Sequence, residues 1–334
     1  MTGPPLVALE RVVRTFRRPD GMTVRAVDGV DLAVGANESV GLIGESGSGK
    51  STVGRLAVRL IEPDSGTVRF DGVDLATLSA PDLRRRRHEF QIVFQDVAGS
   101  MNPRMTVAGI VGEPLEVHGL VSCRGERVER VADLLRTVGL DPGMARRYPH
   151  ELSGGERQRV GIARAIATTP RFLVADEPVS AVDAAIRGRL VDLLVDLRET
   201  RGMSYLVIAH DLDLIRRLAD RVVVLYLGKV AESGPAEEVR RAPLHPYTQA
   251  LVAAVPGLDP TTPAPAVLPG EPPSSLFPPP GCRFHPRCPV AVAACATVEP
   301  ALRPAGGGRS VACHLVHAPG GVALNGSAGG EGLG

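Results

Sequence analysis

Nine consecutive residues, Gly44-Glu45-Ser46-Gly47-Ser48-Gly49-Lys50-Ser51-Thr52, have the chemistry of an anion cradle. Glycines at this density let successive backbone N–H groups turn inward around oxygen atoms. A helix expected over 51–61 adds the positive end of its dipole. The string fits G-x-x-x-x-G-K-[ST], and it follows an apolar strand-like run, Ser39 to Ile43, which is the context that gives the motif its meaning. Lys50 can reach the outer phosphates of a nucleoside triphosphate, and the Ser51 hydroxyl can hold Mg²⁺. Lys50 and Lys229 are the only lysines among 38 basic residues, so a lysine at this point is not background.

Two further groups could act on the same anion. The apolar run Phe172-Leu173-Val174-Ala175 ends in Asp176-Glu177. A parallel sheet presents its strand C-termini to ligand, so Asp176 would support Mg²⁺ and Glu177 would polarise an attacking water as general base. The string Leu152-Ser153-Gly154-Gly155-Glu156 opens a helix expected over 155–168. Free N–H groups, a small hydroxyl and a dipole make it a second anion site, although alone it is also an ordinary helix cap.

These groups need elements to position them. Residues 6–16 and 24–34 alternate apolar and polar around Pro19-Asp20-Gly21, the pattern of an antiparallel hairpin. Strands are expected at 39–43, 67–70, 90–94, 172–175, 205–209 and 222–226. Helical periodicity covers 126–138, 155–168, 184–200 and 211–219. Strands alternating with helices argue for an α/β fold with a parallel sheet covered on its faces. The mostly helical region 96–165 interrupts that alternation as an inserted subdomain. After about residue 255 the composition changes. Ten prolines between 256 and 281 read as an extended linker, four of the five cysteines follow at 282–313, and a Gly-rich tail from 318 is expected to be disordered.

Composition excludes several classes. Hydrophobic residues make up 44% of the 334, enough for a real core. The formal charge is +1 and aromatics are 3%, which argues against nucleic acid bound by bulk charge or by base stacking. No apolar run approaches the ~20 residues of a membrane-spanning helix. The first residues lack a basic n-region followed by an apolar h-region, so no signal peptide is expected. The basic run Arg84-Arg85-Arg86-Arg87 reads as a solvated helix face ahead of the strand at 90.

With Ser153-Gly154-Gly155 lying between the phosphate loop and Asp176-Glu177, residues 6–235 resemble an ABC-type ATPase. The resemblance implies a P-loop NTPase with a RecA-like parallel sheet core, an antiparallel β subdomain, an inserted α-helical subdomain and a Cys-containing C-terminal extension. It implies ATP and Mg²⁺ as ligands. Gln95 resembles the Q-loop glutamine that touches Mg²⁺ and the attacking water. Ser180-Ala181-Val182-Asp183 resembles the D-loop, His210 the switch histidine on the γ-phosphate, and Phe16 the adenine-stacking aromatic. Ser153, Gly154 and Gly155 are the signature residues that contact the γ-phosphate held by a partner subunit, so two such domains would meet head to tail around two ATP molecules. Val182 replaces the common D-loop leucine. Asn37 stands where glycine is usual, and Asn tolerates the left-handed backbone that glycine would supply.

Val179, in Asp176-Glu177-Pro178-Val179-Ser180, resembles the Val typical of the F-type subunit of oligopeptide and dipeptide importers, and further strings are similar to the ATPases of those importers. They are Gln95-Asp96 with Ser100-Met101-Asn102-Pro103-Arg104, then His245-Pro246-Tyr247-Thr248-Gln249-Ala250-Leu251 with Leu268-Pro269-Gly270-Glu271, and Gly281-Cys282-Arg283-Phe284-His285-Pro286-Arg287-Cys288. This implies an ATPase domain over 1–240, an importer-type extension over 241–317 and a tail over 318–334. Implied partners are two membrane permeases, a second ATPase subunit or another copy of this chain, and indirectly a solute-binding protein. The chain would lie peripherally on the cytoplasmic face of the membrane. Nickel, glutathione or oligosaccharide cargo, and a soluble ABC ATPase acting on DNA or ribosomes, are the alternatives. Cys282, Cys288, Cys295 and Cys313 could hold Zn²⁺ or an iron–sulfur cluster, or be reduced, partly buried thiols. The resemblance favours [4Fe-4S]. Cys123 stands alone.

Overall fold

The computed structural model describes residues 3–179, 184–209, 212–254 and 273–317. Its strands are β1 (Val7–Arg17), β2 (Thr23–Val34), β3 (Ser39–Ile43), β4 (Ser65–Phe70), β5 (Val73–Asp74), β6 (Phe90–Val93), β7 (Phe172–Asp176), β8 (Ser204–Ile208), β9 (Arg221–Tyr226), β10 (Lys229–Pro235), β11 (Arg303–Gly306) and β12 (Arg309–Val311). The expected hairpin forms β1 and β2, and with β4 and β5 it makes an antiparallel sheet in the order β2-β1-β4-β5.

The second sheet runs β11-β12-β10-β9-β3-β8-β7-β6. Pairings from β9 through β6 are parallel. Those from β9 through β10 and β12 to β11 are antiparallel. The Cys-containing segment therefore supplies the last two strands of the central sheet.

The central strands are short apolar runs buried on both faces, as a covered parallel sheet demands. Their alternation divides the interior in two. Leu42, Val174, Leu206, Ile208, Val223 and Leu225 face the antiparallel sheet and the helix Lys50–Ala57. Ile43, Leu173, Tyr205, Val207, Val222 and Val224 face the core shared with the helices Val107–Val117, Arg124–Thr137, Gly154–Ile166 and Ala184–Arg201. The helical region thus packs on one face, and the phosphate-loop helix on the other.

The helix expected over 51–61 ends at Ala57. Arg59 adopts φ 49°, Arg59 N–H reaches Leu56 O at 2.9 Å and Leu60 N–H reaches Arg55 O at 2.8 Å. This is a left-handed helix stop built without glycine, so no turn residue marks it in the sequence. Asn37 has φ 58°, the left-handed conformation expected of it. The basic run is only half solvated. Arg84 and Arg85 are exposed, whereas Arg86 pairs with Glu89 at 2.8 Å and lies over the Phe70 ring, and Arg87 donates to Arg59 O.

Candidate nucleotide site

The phosphate loop leaves the C-terminal end of β3 and enters the helix Lys50–Ala57. Two of its glycines are sterically obligatory. Gly44 has φ 154° and a Cβ there would lie 2.2 Å from Leu225 O. Gly49 has φ 103° and a Cβ would lie 2.1 Å from Ala26 O. Side chains at either position would push the loop off β9 or β2 and change where its N–H groups point. Ser46 and Gly47 are exposed at the loop's crest, and Ser48 is buried beneath it.

Lys50 is 6% exposed, and its Nζ donates to Gly44 O and Glu45 O, both at 2.8 Å. Burial lowers its pKa, opposed by the nearby carboxylates of Glu177, Asp176 and Glu45. Next to it, Ser51 Oγ donates to Asp176 Oδ1 at 3.0 Å. Asp176 is 1% exposed, and burial raises its pKa. A hydroxyl and a desolvated carboxylate converging on one point are hard oxygen donors of the kind Mg²⁺ takes. The residues present therefore fit the metal that the sequence implies.

Gln95, at the end of β6, donates through Nε2 to Glu177 Oε2 at 2.8 Å. Glu177 has φ 46°, and its N–H is held by Ile208 O at 2.9 Å. A left-handed backbone on a non-glycine residue costs on the order of 1 kcal/mol, and here it turns the carboxylate at the end of β7 toward Gln95. Residues from three separate segments, Lys50 with Ser51, Asp176 with Glu177, and Gln95, thus meet at the C-terminal edge of the parallel sheet. Thr52, half-buried, is the third residue of the helix.

Ser153 caps the helix Gly154–Ile166. Its Oγ accepts from Glu156 N–H at 3.3 Å, and Glu156 Oε2 accepts from Ser153 N–H at 2.7 Å. That reciprocal bond lowers the Glu156 pKa. Ser153 and Gly154 are exposed and Gly155 is buried, so the cap presents an open face. Phe16, 38% exposed with the Arg14 guanidinium 5.0 Å from its ring centroid, is available for stacking at the end of β1. His210 and Ser180–Asp183 lie outside the described residues, as does the Leu268–Glu271 string.

Sequence reasoning gave no role to Tyr247 and Arg287, yet both touch the phosphate loop. Glu45 N–H donates to the Tyr247 hydroxyl at 2.7 Å, and Arg287 grips the Glu45 carboxylate at 2.8 and 3.0 Å. The only signal was that each sits inside a string already singled out, HPYTQAL and FHPRCP.

The sequence offers four cysteines as ligands for Zn²⁺ or an iron–sulfur cluster. Cys282, Cys288, Cys295 and Cys313 are all free, and Cys282 N–H donates to Cys295 O at 2.8 Å. Burial, reinforced by the other three thiols, pushes the Cys282 thiol up to about 11. Among the described residues, however, no three His, Cys, Asp or Glu side chains converge to hold a metal ion. The four thiols pack partly into the core instead. Cys123, also free, is exposed at the start of the helix Arg124–Thr137.

The chain is similar in sequence and fold to known proteins. The ABC transporter profile matches residues 27–180, and that of the oligopeptide/dipeptide transporter C-terminal region matches residues 231–295. The oligopeptide transport ATP-binding protein AppF of Bacillus subtilis is 46% identical over 304 residues, covering 90% of this chain and 92% of AppF. Among solved structures, the ATP-binding cassette MJ0796, in a dimeric post-hydrolysis state bound to ADP and Pi, is 31% identical with a TM-score of 0.64. The match covers 69% of this chain and 98% of that one. CbiO1 of Clostridium perfringens, part of the ABC transporter complex cbiONQ, is 25% identical with a TM-score of 0.61, covering 71% and 91%. The chain belongs to the ABC transporter ATP-binding family. Within it, the chain carries the C-terminal region of the oligopeptide/dipeptide transporters.

Proposed function

We propose that the chain is the ATP-hydrolysing subunit of an importer for peptides. The observation that carries the reading is the convergence of Ser51, Asp176, Gln95 and Glu177 around the buried Lys50. In this reading the loop N–H groups of Gly44 and Ser46–Gly49, with Lys50 and Thr52, hold the ATP phosphates, and Phe16 stacks on the adenine. Ser51, Asp176 and Gln95 hold Mg²⁺, which neutralises developing phosphate charge when bound. Glu177 accepts a proton from the attacking water while the water oxygen bonds the γ-phosphorus and ADP departs. Gln95 fixes that carboxylate, and His210 contacts the γ-phosphate.

Ser153, Gly154, Gly155 and Asp183 complete the site of a second subunit, either another copy of this chain or a related ATPase. Two subunits close face to face on ATP and part after hydrolysis, a two-state device driven by differential contacts with the ligand. MJ0796, similar in fold, is a dimer with ADP and Pi, which supports this assembly. The ATPase region is assigned to 1–240 and the extension to 241–317. Among the described residues no helix is long and apolar enough to cross a membrane. From membership of the ABC transporter ATP-binding family we assign a peripheral place on the cytoplasmic face beside two permease subunits, with a solute-binding protein acting through them. Peptide as cargo rests on the oligopeptide/dipeptide transporter C-terminal region at 231–295 and on the similarity to AppF. No catalytic or transport step is assigned to an iron–sulfur cluster or zinc.

Two tests follow. Ser51→Ala should raise the Mg²⁺ needed for half-maximal ATP hydrolysis by roughly tenfold, since one of few hard donors is lost. An unchanged Mg²⁺ requirement would remove Ser51 from the metal site. Co-expression with permease subunits of a peptide importer from the same genome should yield a membrane complex whose vesicles take up labelled peptide only with ATP. Uptake of nickel or glutathione but not peptide would reassign the cargo.

A further inference from the structure

Every polar group of Glu45, the residue after the first loop glycine, is fixed, and two of the three are fixed from the C-terminal extension. Its C=O accepts from Lys50 Nζ, its N–H is held by Tyr247, 202 positions away, and its carboxylate by Arg287, 242 positions away. Arg287 is 6% exposed at its side chain. It is seated by Tyr226, whose hydroxyl lies 3.4 Å from Nη1. Tyr226 also packs against Tyr247 at 4.5 Å and Phe284 at 5.4 Å between ring centroids.

The charge arrangement matters because Glu45 lies close enough to Lys50 to raise that lysine's pKa. An unpaired carboxylate here would compete with phosphate for Lys50 and repel the incoming anion. A bidentate guanidinium both neutralises it and fixes its direction.

We infer that Arg287 and Tyr247 are positioning residues of the nucleotide loop: the extension neutralises and orients Glu45, so that affinity for a nucleoside triphosphate is set partly from the C-terminal region. This rests on reading Gly44–Thr52 as the ATP loop. The extension is then a working part of the nucleotide site, and anything that displaces Arg287, one residue before Cys288, lowers ATP affinity.

The test is ATP binding with Mg²⁺ by the full chain, measured by calorimetry. Arg287→Ala should weaken binding by about tenfold, as expected when one partner of a charge-assisted pair is removed. Adding Glu45→Gln to Arg287→Ala should restore most of the affinity, because the uncompensated carboxylate is gone. A purely structural loosening of the extension would not be repaired by Glu45→Gln, so the rescue identifies the electrostatic role. Parent-like binding by Arg287→Ala, or failure of the double variant to recover, overturns the inference. If Arg287→Ala does not fold, Arg287→Gln, which keeps most of the volume without the charge, takes its place with the same expected outcomes. Failure of the parent chain itself to bind ATP would instead overturn the reading of the loop.

Discussion

Glu177→Gln should lower ATP turnover by about 10²–10⁴-fold while leaving ATP binding intact, the range that a general base supplies. Gln has the size and shape of Glu and can still accept from Gln95 Nε2, now 2.8 Å from Glu177 Oε2, so the geometry of the site survives. What it lacks is a basic oxygen to take the water's proton. The strained backbone at φ 46° and the bond from Glu177 N–H to Ile208 O are independent of that side-chain change. Binding and chemistry are thereby separated. Because subunits part only after hydrolysis in the proposed cycle, the variant should accumulate as an ATP-bound dimer in gel filtration with light scattering. Turnover equal to the parent's would remove Glu177 from the role of base. Slow turnover without dimer would leave the base and remove the face-to-face assembly.

The reach of the sequence differs across the site. Lys50, Ser51, Asp176 and Glu177 were legible because each ends a short apolar strand or begins a helix, and continuous apolar runs alternating with helices imply parallel strands whose C-terminal ends share one edge of the sheet. Gln95 was legible only through family resemblance. Nothing in the local pattern at Phe94-Gln95-Asp96 says that its amide will meet a carboxylate 82 positions away. The early stop at Ala57 was not legible because Arg59 rather than glycine takes the left-handed position. The extension was the least legible. Its Pro-rich approach suggested a separate appendage, whereas β12 pairs with β10 and Arg287 reaches β3's loop. Four cysteines drew attention to metal, while the contacts that tie the segment to the site belong to arginine and tyrosine. Short strands such as Arg309–Val311 have too few residues for any periodicity to mark them.

One buried carboxylate is central to the joint between extension and sheet, and Glu232→Ala should cost about 3–5 kcal/mol of stability, the range for breaking a buried pair by removing one partner. Glu232 is fully buried in β10. It accepts from Leu244 N–H at 3.0 and 3.1 Å, His245 N–H at 2.8 Å and Arg309 Nη2 at 2.7 Å. Alanine would strand two backbone donors and an Arg309 guanidinium that is itself 9% exposed. Each has already given up its water, so the penalty is desolvation without compensation rather than loss of one attraction. His245 adds no second positive charge beside Arg309, since burial pulls its pKa down to about 4 and leaves it neutral. By contrast, Asp133→Ala, which removes an exposed pair with Arg136 at 61% and 70% exposure, should change stability by about 0–1 kcal/mol. Thermal or urea unfolding of the full chain distinguishes the two variants. A Glu232→Ala loss no greater than that of Asp133→Ala would mean that the extension is held by its aromatic packing around Phe284, and that the buried pair contributes no net stability. Pairing Glu232→Met with Arg309→Met should recover only the part of the Glu232→Ala loss that comes from the stranded guanidinium, because the Leu244 and His245 N–H groups stay without their acceptor.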